Sequence, residues 1–284
     1  MDVTVLTMAK GRNEALRGLL AGLVRGDAFP EAAVLVDLDP QRRSLPTLPF
    51  PLRHRHCPAT ELPLAAARNR AASEAATEGL IFLDADCIPA PELVRVMSAT
   101  LDQHDALICC EVLYLPPGHG GPGAELRKME ANGVPHPHRP FPPGGLRREP
   151  NTGLFWSLAF AVRRSSFEAL GGFDTAYTGY GAEDTDLAFR AAARGLPLLL
   201  SGQARVFHQH HPVYDPPLQH FADILANARR FHSRHGMWPM DGWLQEFADA
   251  GFIRWSPRSA EIRLLRQPTE REVAAALCPP DRLF

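Results

Sequence analysis

The sequence predicts an α/β fold: a mostly parallel sheet flanked by helices, followed by a mainly helical C-terminal appendage. Three observations carry that expectation. Short apolar runs alternate with amphipathic runs through the first half of the chain. Several of those apolar runs end abruptly in acidic or polar residues, as at "AAVLVDLD" and "LIFLDAD". From Pro217 onward the periodicity becomes helical, with Phe221, Ile224, Leu225, Ala228 and Phe231 in step. Strands alternating with helices imply parallel pairing, with both faces of the sheet covered.

In order along the chain, "VTVLTM" (Val3 to Met8) reads as a buried strand, and Leu16, Leu19, Leu20, Leu23 and Val24 follow at helical spacing. "AAVLVDLD" is a second strand and "PLRHRHC" a third. Residues 62–77 form an alanine-rich helix, "LIFLDAD" the next strand, and Pro89 stands where a helix over 91–103 could begin. "ALICCEVLYL" is another strand. The rhythm then breaks: residues 114–150 are dense in Pro and Gly ("PPGHGGPG", "VPHPHRPFPPGG"), with a short helical stretch near Glu125 to Ala131. A loop of that length in a compact domain is expected to be functional or flexible, and this one is a candidate lid. "LFWSLAFAV" resumes as strand, a helix opens near Glu183, and "LPLLLSGQARVFHQHHP" reads as two short strands. Thr269 and Glu272 have capping-box spacing. The expected division is a catalytic domain over 1–212, with 213–284 as an extension packed on it.

The bulk numbers narrow the function. At 284 residues the chain can bury a full core, and its 45% hydrophobic and 22% charged content places it among ordinary globular proteins. A net charge of -2 supplies no field for nucleic acid or an anionic surface, so nucleic acid is not an expected partner. No run reaches transmembrane length, which leaves peripheral contact as the expected limit of membrane association. "MDVTVLTMAK" lacks the basic start and long apolar core of a signal peptide. The five cysteines are odd in number and form no CxxC pair, which predicts free thiols and a cytoplasmic location. Oligomeric state is not legible.

The chemistry is expected where strands end, since open α/β sheets bind ligands beyond the carboxyl ends of their strands. Side chains two apart in an extended segment point the same way, so Asp84 and Asp86 could share a hard divalent cation, Mn²⁺ or Mg²⁺. A solvated strand end explains the same pair when it is read alone. In "GYGAEDTDLAFR", Glu183, Asp184 and Asp186 crowd a helix start behind Tyr180, which is held between Gly179 and Gly181. Acids in a first turn complement the helix dipole. Beside an aromatic platform, a carboxylate there also suits a sugar hydroxyl. In "VFHQHHP", alternation places His208 and His210 on one face as candidate ligands. Arg68 on the alanine-rich helix is a salt-bridging or diphosphate-binding guanidinium, with Asn69 beside it for base or ribose.

Taken in order, "TVLTMAKGRNEALRGLL", "VLVDLD", "LAAARNRAASEA", "LIFLDADC", "GGFDTAYTGYGAEDTDLAFR" and "ARVFH" resemble the family 2 glycosyltransferases of GT-A fold, whose sheet is Rossmann-like. The second half is also similar to β-1,4-galactosyltransferases. The resemblance covers roughly residues 2–211. It implies a hexosyltransferase using a nucleotide diphosphate sugar, a UDP-sugar first among donors, and a divalent metal. It assigns Asp37, Arg68, Asn69, Asp84 and Arg12 to the donor nucleotide. Asp86 and His208, with Asp84, go to the metal, Asp86 being the direct carboxylate ligand and His208 preferred to His210. Asp184 becomes the base that activates an acceptor hydroxyl with inversion, with Glu183 beside it. Tyr180, Gly181 and Glu183 meet the acceptor sugar, which could be a glycan, a lipid-linked sugar, a peptide or a small molecule. Ala85, Cys87 and Ala182 depart from the residues common at those places. Rival readings are a sugar-phosphate nucleotidyltransferase, which would want a richer glycine loop than "MAKGRNEA", a non-catalytic nucleotide-sugar binding protein, and a hydrolase built on "HQHH".

Overall fold

The computed structural model describes residues 1–60 and 62–284. Its elements in chain order are β1 (Val3–Ala9), α1 (Asn13–Val24), β2 (Ala32–Asp37), β3 (Leu52–His56), α2 (Leu64–Ser73) and β4 (Gly79–Leu83). Next come β5 (Cys87–Pro89), α3 (Leu93–Gln103), β6 (Leu107–Tyr114), α4 (Leu126–Asn132), β7 (Val134–Pro135) and β8 (Leu146–Glu149). β9 (Ala159–Arg163), α5 (Arg164–Ala169), α6 (Glu183–Ala193) and β10 (Leu198–His208) complete the sheet region. The remainder is α7 (Phe221–His235), α8 (Asp241–Asp249), the pair β11 (Ile253–Arg254) and β12 (Arg263–Leu264), and α9 (Glu270–Ala275).

The main sheet runs β3-β2-β1-β4-β9-β6-β10-β5, with β7 beside β6 and β8 beside β10. β3, β2, β1 and β4 are parallel neighbours, and β6 is parallel to β10. β9 is antiparallel to both β4 and β6, so the strands on its two sides point the same way. Successive residues of each strand feed opposite faces. Val5, Leu35, Ile81 and Ile108 meet Leu16 and Leu19 of α1 and Leu93 and Met97 of α3. Leu6, Val34, Phe82 and Phe160 meet Ala67 and Ala71 of α2, Phe167 of α5 and Leu187 of α6. This is why β1, β2 and β4 are buried almost throughout and do not alternate with exposed residues.

Several expectations change. Pro89 does not open a helix; it ends β5, which pairs antiparallel with β10, and the helix begins at Leu93. The 114–150 segment is not one structureless loop, since it holds α4 and two short strands paired to β6 and β10. "LPLLLSGQARVFH" is one strand, not two, with a register shift between Ser201 and Arg205. The irregularity lies at Gly202, whose amide bonds to the Gly145 carbonyl at 3.1 Å as the 142–145 turn crosses it.

After β10, Phe221, Ile224, Leu225, Leu244, Phe247, Phe252 and Trp255 form a separate small core, against which Tyr180 and Met240 pack. The capping box at Thr269 and Glu272 is present, starting α9. Among the described residues, no helix is long and apolar enough to cross a membrane.

A Cβ at Gly202 would lie 1.8 Å from the Pro142 carbonyl oxygen, which is backbone and cannot swing aside. Gly202→Ala is therefore expected to cost about 1–3 kcal/mol. Urea unfolding checks this; an unchanged midpoint would mean that the turn does not press on the strand.

Candidate functional site

Register alone brings the polar strand ends to one edge. Ala9 lies opposite Asp37, and Asp37 opposite His56. His208 lies opposite Tyr114 on one side and Cys87 on the other. Asp84 follows β4, and the Trp156–Ser157 peptide precedes antiparallel β9, whose Ala159 faces Leu83. Because these strands end together, side chains far apart in sequence meet there.

At the β1–β2 end, Asp37 is fully buried. Its carboxylate accepts from Arg43 Nε at 2.8 Å and the Arg43 amide at 3.1 Å, and it meets His54 Nε2 at 2.9 Å. Burial alone would raise its pKa, but the Arg43 and His54 hydrogen bonds outweigh it and hold the carboxyl at about 2. Asp37 thus faces Arg43, while Asp39 is the more exposed acid, bonded to the Gly11 amide and Arg43. A cleft of about 680 Å³ opens beside them, bounded by Asn13, Arg17, Asp39 and Arg43.

In the middle, the buried Arg68 guanidinium donates to Glu183 Oε1 at 2.8 Å and Asp84 Oδ1 at 3.2 Å, beneath the Phe173 ring. Burial works against its charge, but Asp84, Glu183 and Asp184 more than restore it, so its pKa lies above the ordinary value. Glu183 is 5% exposed and turned onto Arg68. Its pKa rises to about 7 because burial and the neighbouring Asp184 charge outweigh Arg68. Asn69 does not reach toward a nucleotide as expected. Its amide brackets Phe173, accepting from the backbone N–H and donating to the carbonyl, each at 2.8 Å, and so fixes the "GGFD" turn.

Asp184, half-buried in the first turn of α6, accepts from the Ser157 amide at 3.3 Å and the Thr185 amide at 2.7 Å. Tyr180 stacks one face on His220, ring centroids 4.4 Å apart, and its carbonyl is held by Asn227. Gly181 has φ +97, and a Cβ there would meet Met240 Sδ at 2.8 Å. Ala182 itself has φ 70, a left-handed conformation that favours glycine. Asp186 is not part of this surface. Fully buried, it is bonded by Arg190, His235 and Arg234, tying α6 to α7.

On the far side stands Asp86. Asp84 and Asp86 do not aim together: a turn closed by the Cys87 amide on the Asp84 carbonyl sends Asp84 to Arg68 and Asp86 to the end of β10. There Asp86, His208 and His211 offer ligand atoms within 4.8 Å of one another, so the third group of this cluster is His211 and not the expected Asp84. His210 is displaced for the same kind of reason, since strand alternation stops at His208. Arg12, at φ 53 before α1, lays its guanidinium on Asp86. Burial pushes the His208 imidazole down to about 4, with Arg12 and His210 assisting against Asp84. His211 falls to about 4 through burial, Arg12 and His208. Both rings are then neutral near pH 7, the form that binds metals. Gln209, which no sequence signal singled out, locks this corner together. It donates to the Ala15 carbonyl at 2.9 Å, accepts from the Gly121 amide at 2.8 Å, and bonds the Asp86 carbonyl through its own amide.

Two tests follow from this geometry. Ala182→Gly should raise stability by about 0.5–1 kcal/mol by relieving the left-handed backbone; thermal unfolding reads it, and a loss would refute the strain. For Glu183 the native pKa exceeds its ordinary 4.5, so the folded state holds the extra proton. Its contribution is fully present below about 4.5 and is lost as pH rises through about 7. Glu183→Gln should therefore gain on wild type across that window, read as a melting-temperature difference that grows with pH. A flat difference would place the proton elsewhere.

The chain matches the profile described as Glycosyl transferase family 2 over residues 41–171 and that described as N-terminal domain of galactosyltransferase over 147–212. It is 29% identical over 82 residues to Validoxylamine A glucosyltransferase of Streptomyces hygroscopicus subsp. jinggangensis (strain 5008), covering 28% of this chain and 19% of that protein. The protein of that name from subsp. limoneus matches at the same identity, with 17% of its length covered. The chain thus spans about a fifth of the length of these curated relatives. In fold it is similar to S. aureus TarS 1-349 in complex with UDP-GlcNAc, with TM-score 0.54 and 16% identity over 89% of this chain and 73% of that one. It is also similar to GalNAc-T7 with UDP, GalNAc and Mn2+, with TM-score 0.51 and 17% identity over 74% of this chain and 43% of the other. The chain thus carries a segment matching the Glycosyl transferase family 2 profile and a galactosyltransferase-type segment running through α6 and β10, on a sheet with the fold of solved GT-A glycosyltransferases.

Proposed function

We propose that this protein transfers a hexosyl unit from a nucleotide diphosphate sugar, a UDP-sugar first, to an acceptor hydroxyl, with inversion and with a bound Mn²⁺ or Mg²⁺. One observation carries the reading. A single sheet edge sets a cation-binding corner (Asp86, His208, His211), a buried guanidinium (Arg68) and an acid at a helix start (Asp184) side by side. The neighbours support it, TarS being solved with UDP-GlcNAc and GalNAc-T7 with UDP, GalNAc and Mn2+.

The corner fits a divalent ion. Asp86 Oδ1 is buried without a hydrogen-bond partner, and both imidazoles are neutral. The His211 Nδ1 proton goes to the Pro212 carbonyl at 3.1 Å, which leaves Nε2 facing Asp86. Asp86, His208 and His211 would hold the ion, which supplies Lewis-acid stabilisation to a leaving diphosphate. Arg68 keeps a fixed positive charge beside that group, at no cost in reorganisation as negative charge develops. Arg12 is the exposed partner of Asp86 and moves to the diphosphate once Asp86 is engaged. Asp184, held by the Ser157 amide, takes the acceptor proton. Glu183 acts through Arg68, as a positioning residue. Tyr180, with one face on His220, and Gly181 border the acceptor, whose chemical class stays a glycan, a lipid-linked sugar, a peptide or a small molecule. We take residues 1–212 as the catalytic unit and 213–284 as an extension that buttresses Tyr180. The five free cysteines suit the cytoplasm.

Thermal shift with UDP and UDP-sugars, with and without Mn²⁺, tests the reading, since a ligand of the native state raises apparent stability. A metal-dependent rise is expected, lost in Asp86→Asn. Asp184→Asn should lower turnover about 10²–10⁴-fold while keeping the nucleotide response. No response to any nucleotide, or unchanged turnover in Asp184→Asn, would refute the assignment.

A further inference from the structure

Arg139 is a buried cation that the mechanism does not use, and its surroundings are unusual. It lies in the turn after His136, its own amide bonded to the His136 carbonyl at 3.1 Å. The side chain is 2% exposed. Among the described residues it pairs with no carboxylate. Among the described residues its guanidinium donates one long hydrogen bond, from Nη2 to the Trp156 carbonyl at 3.4 Å, and lies against the Cys109 thiol, a weak acceptor, while Nε and Nη1 are buried with no partner. The guanidinium lies over the rings of Trp156 and Phe141, each 5.2 Å away. Stacking on aromatic faces favours the charge but leaves the N–H edge unsatisfied. A desolvated charge without a counter-ion and with most of its N–H groups unsatisfied is costly to the ligand-free protein.

The position is informative. The Trp156–Ser157 peptide that accepts from Arg139 also donates its N–H to Asp184 at 3.3 Å. Arg139 and the proposed base therefore hold opposite edges of one planar peptide unit. On the other side a continuous aromatic wall leads back to the metal corner. Trp156 meets His136 at 4.8 Å, His136 meets Tyr114 at 5.9 Å, and Tyr114 meets His208 at 4.9 Å. His136 Nδ1 accepts from the His138 amide, so the neutral ring carries its proton on Nε2, which bonds nothing among the described residues. Burial, with His138 and Arg139, keeps that ring neutral. An N–H donor and an unpaired guanidinium thus stand together on the acceptor side. Arg68, by contrast, is saturated by two carboxylates.

We propose that Arg139, with His136 and the Trp156 ring, is a specificity site for an acceptor sugar bearing an oxyanion, a carboxylate or a phosphate. The guanidinium binds the oxyanion, the His136 Nε2–H donates to it, and the sugar ring lies on Trp156. Neighbouring Pro137, His138 and Pro140 are exposed, so the turn that carries Arg139 lies at the surface. The proposal rests on the glycosyl-transfer reading for the word acceptor; the anion site itself does not.

The test holds UDP and Mn²⁺ saturating, so that Arg68 and the metal corner are occupied, and then adds glucose, glucuronate or glucose 6-phosphate in a thermal-shift titration. At least one acid should raise the melting temperature of the wild type where glucose does not, and the acid that responds identifies carboxylate or phosphate. Arg139→Gln should weaken that acid roughly tenfold or more while keeping the UDP and Mn²⁺ response. Equal effects of the acids and glucose, or an acid response unchanged in Arg139→Gln, overturn the proposal and leave the transfer reading intact. Absence of any UDP response in the wild type sinks the transfer reading instead, whatever the acids do. Should Arg139→Gln not fold, hydrogen exchange on the wild type decides: acid-specific protection of residues 134–141 supports the site, and its absence overturns it.

Discussion

A guanidinium buried between two carboxylates organises this site. Arg68 comes from α2, Asp84 from the end of β4 and Glu183 from the start of α6, so one ionic triad joins three elements that the chain visits far apart. Losing either acid would leave Arg68 with an uncompensated share of buried charge, and losing Arg68 would set Asp84, Glu183 and Asp184 against one another. The parallel bridge between Pro63 and Gly179 and the Asn69 bracket on Phe173 pull the same two segments together through backbone contacts. The height of α6 above the sheet edge, and with it the place of Asp184, follows from this clamp.

Around the triad, acids and cations are paired across the edge with little charge to spare. Arg43 neutralises Asp37 with His54 bonded beside it, Arg12 covers Asp86, and Asp186 is enclosed by Arg190, Arg234 and His235. These pairs differ in what holds them. Asp186 and its partners serve packing, since they lie between α6 and α7 away from the edge. The Arg12–Asp86 pair is half open to solvent, because Arg12 is 47% exposed while Asp86 is buried. A pair so uneven is held mainly by the buried partner's need for positive charge, which a divalent ion meets equally well. Arg139 stands outside the pattern as a buried cation left without an acid.

How far the sequence could be read depended on the range of the interaction involved. Strand and helix identity rested on local periodicity, and β1, β2, β4, β6 and α1 lie where that periodicity places them. The bulged β10 reads as two strands because a Gly-containing break in an apolar run looks the same as a turn; only pairing with β6 on both sides of Gly202 makes it continuous. The Pro/Gly-rich stretch has no strand signal of its own because its two short strands borrow their order from β6 and β10. Asp84, Asp86, Arg68, Glu183, Asp184 and His208 do assemble at one edge. Asn69 and His210 were drawn in by adjacency, and their neighbours' direction did not carry over.

What the sequence by itself determined was the alternation of apolar strands and amphipathic helices, the acids at the strand ends and the acidic turn after two glycines. Those follow from short-range sterics and from the hydrophobic demand of a sheet covered on both faces. Only the tertiary structure decided the partners. It turned Asp84 toward Arg68 and Asp86 toward His208 and His211, made Gln209 a three-way tie, and left Arg139 unpaired beside Trp156. The physical reason is that charge pairing and ligand geometry depend on where side chains meet in space. Sheet register sets that, by aligning residues whose separation along the chain carries no signal.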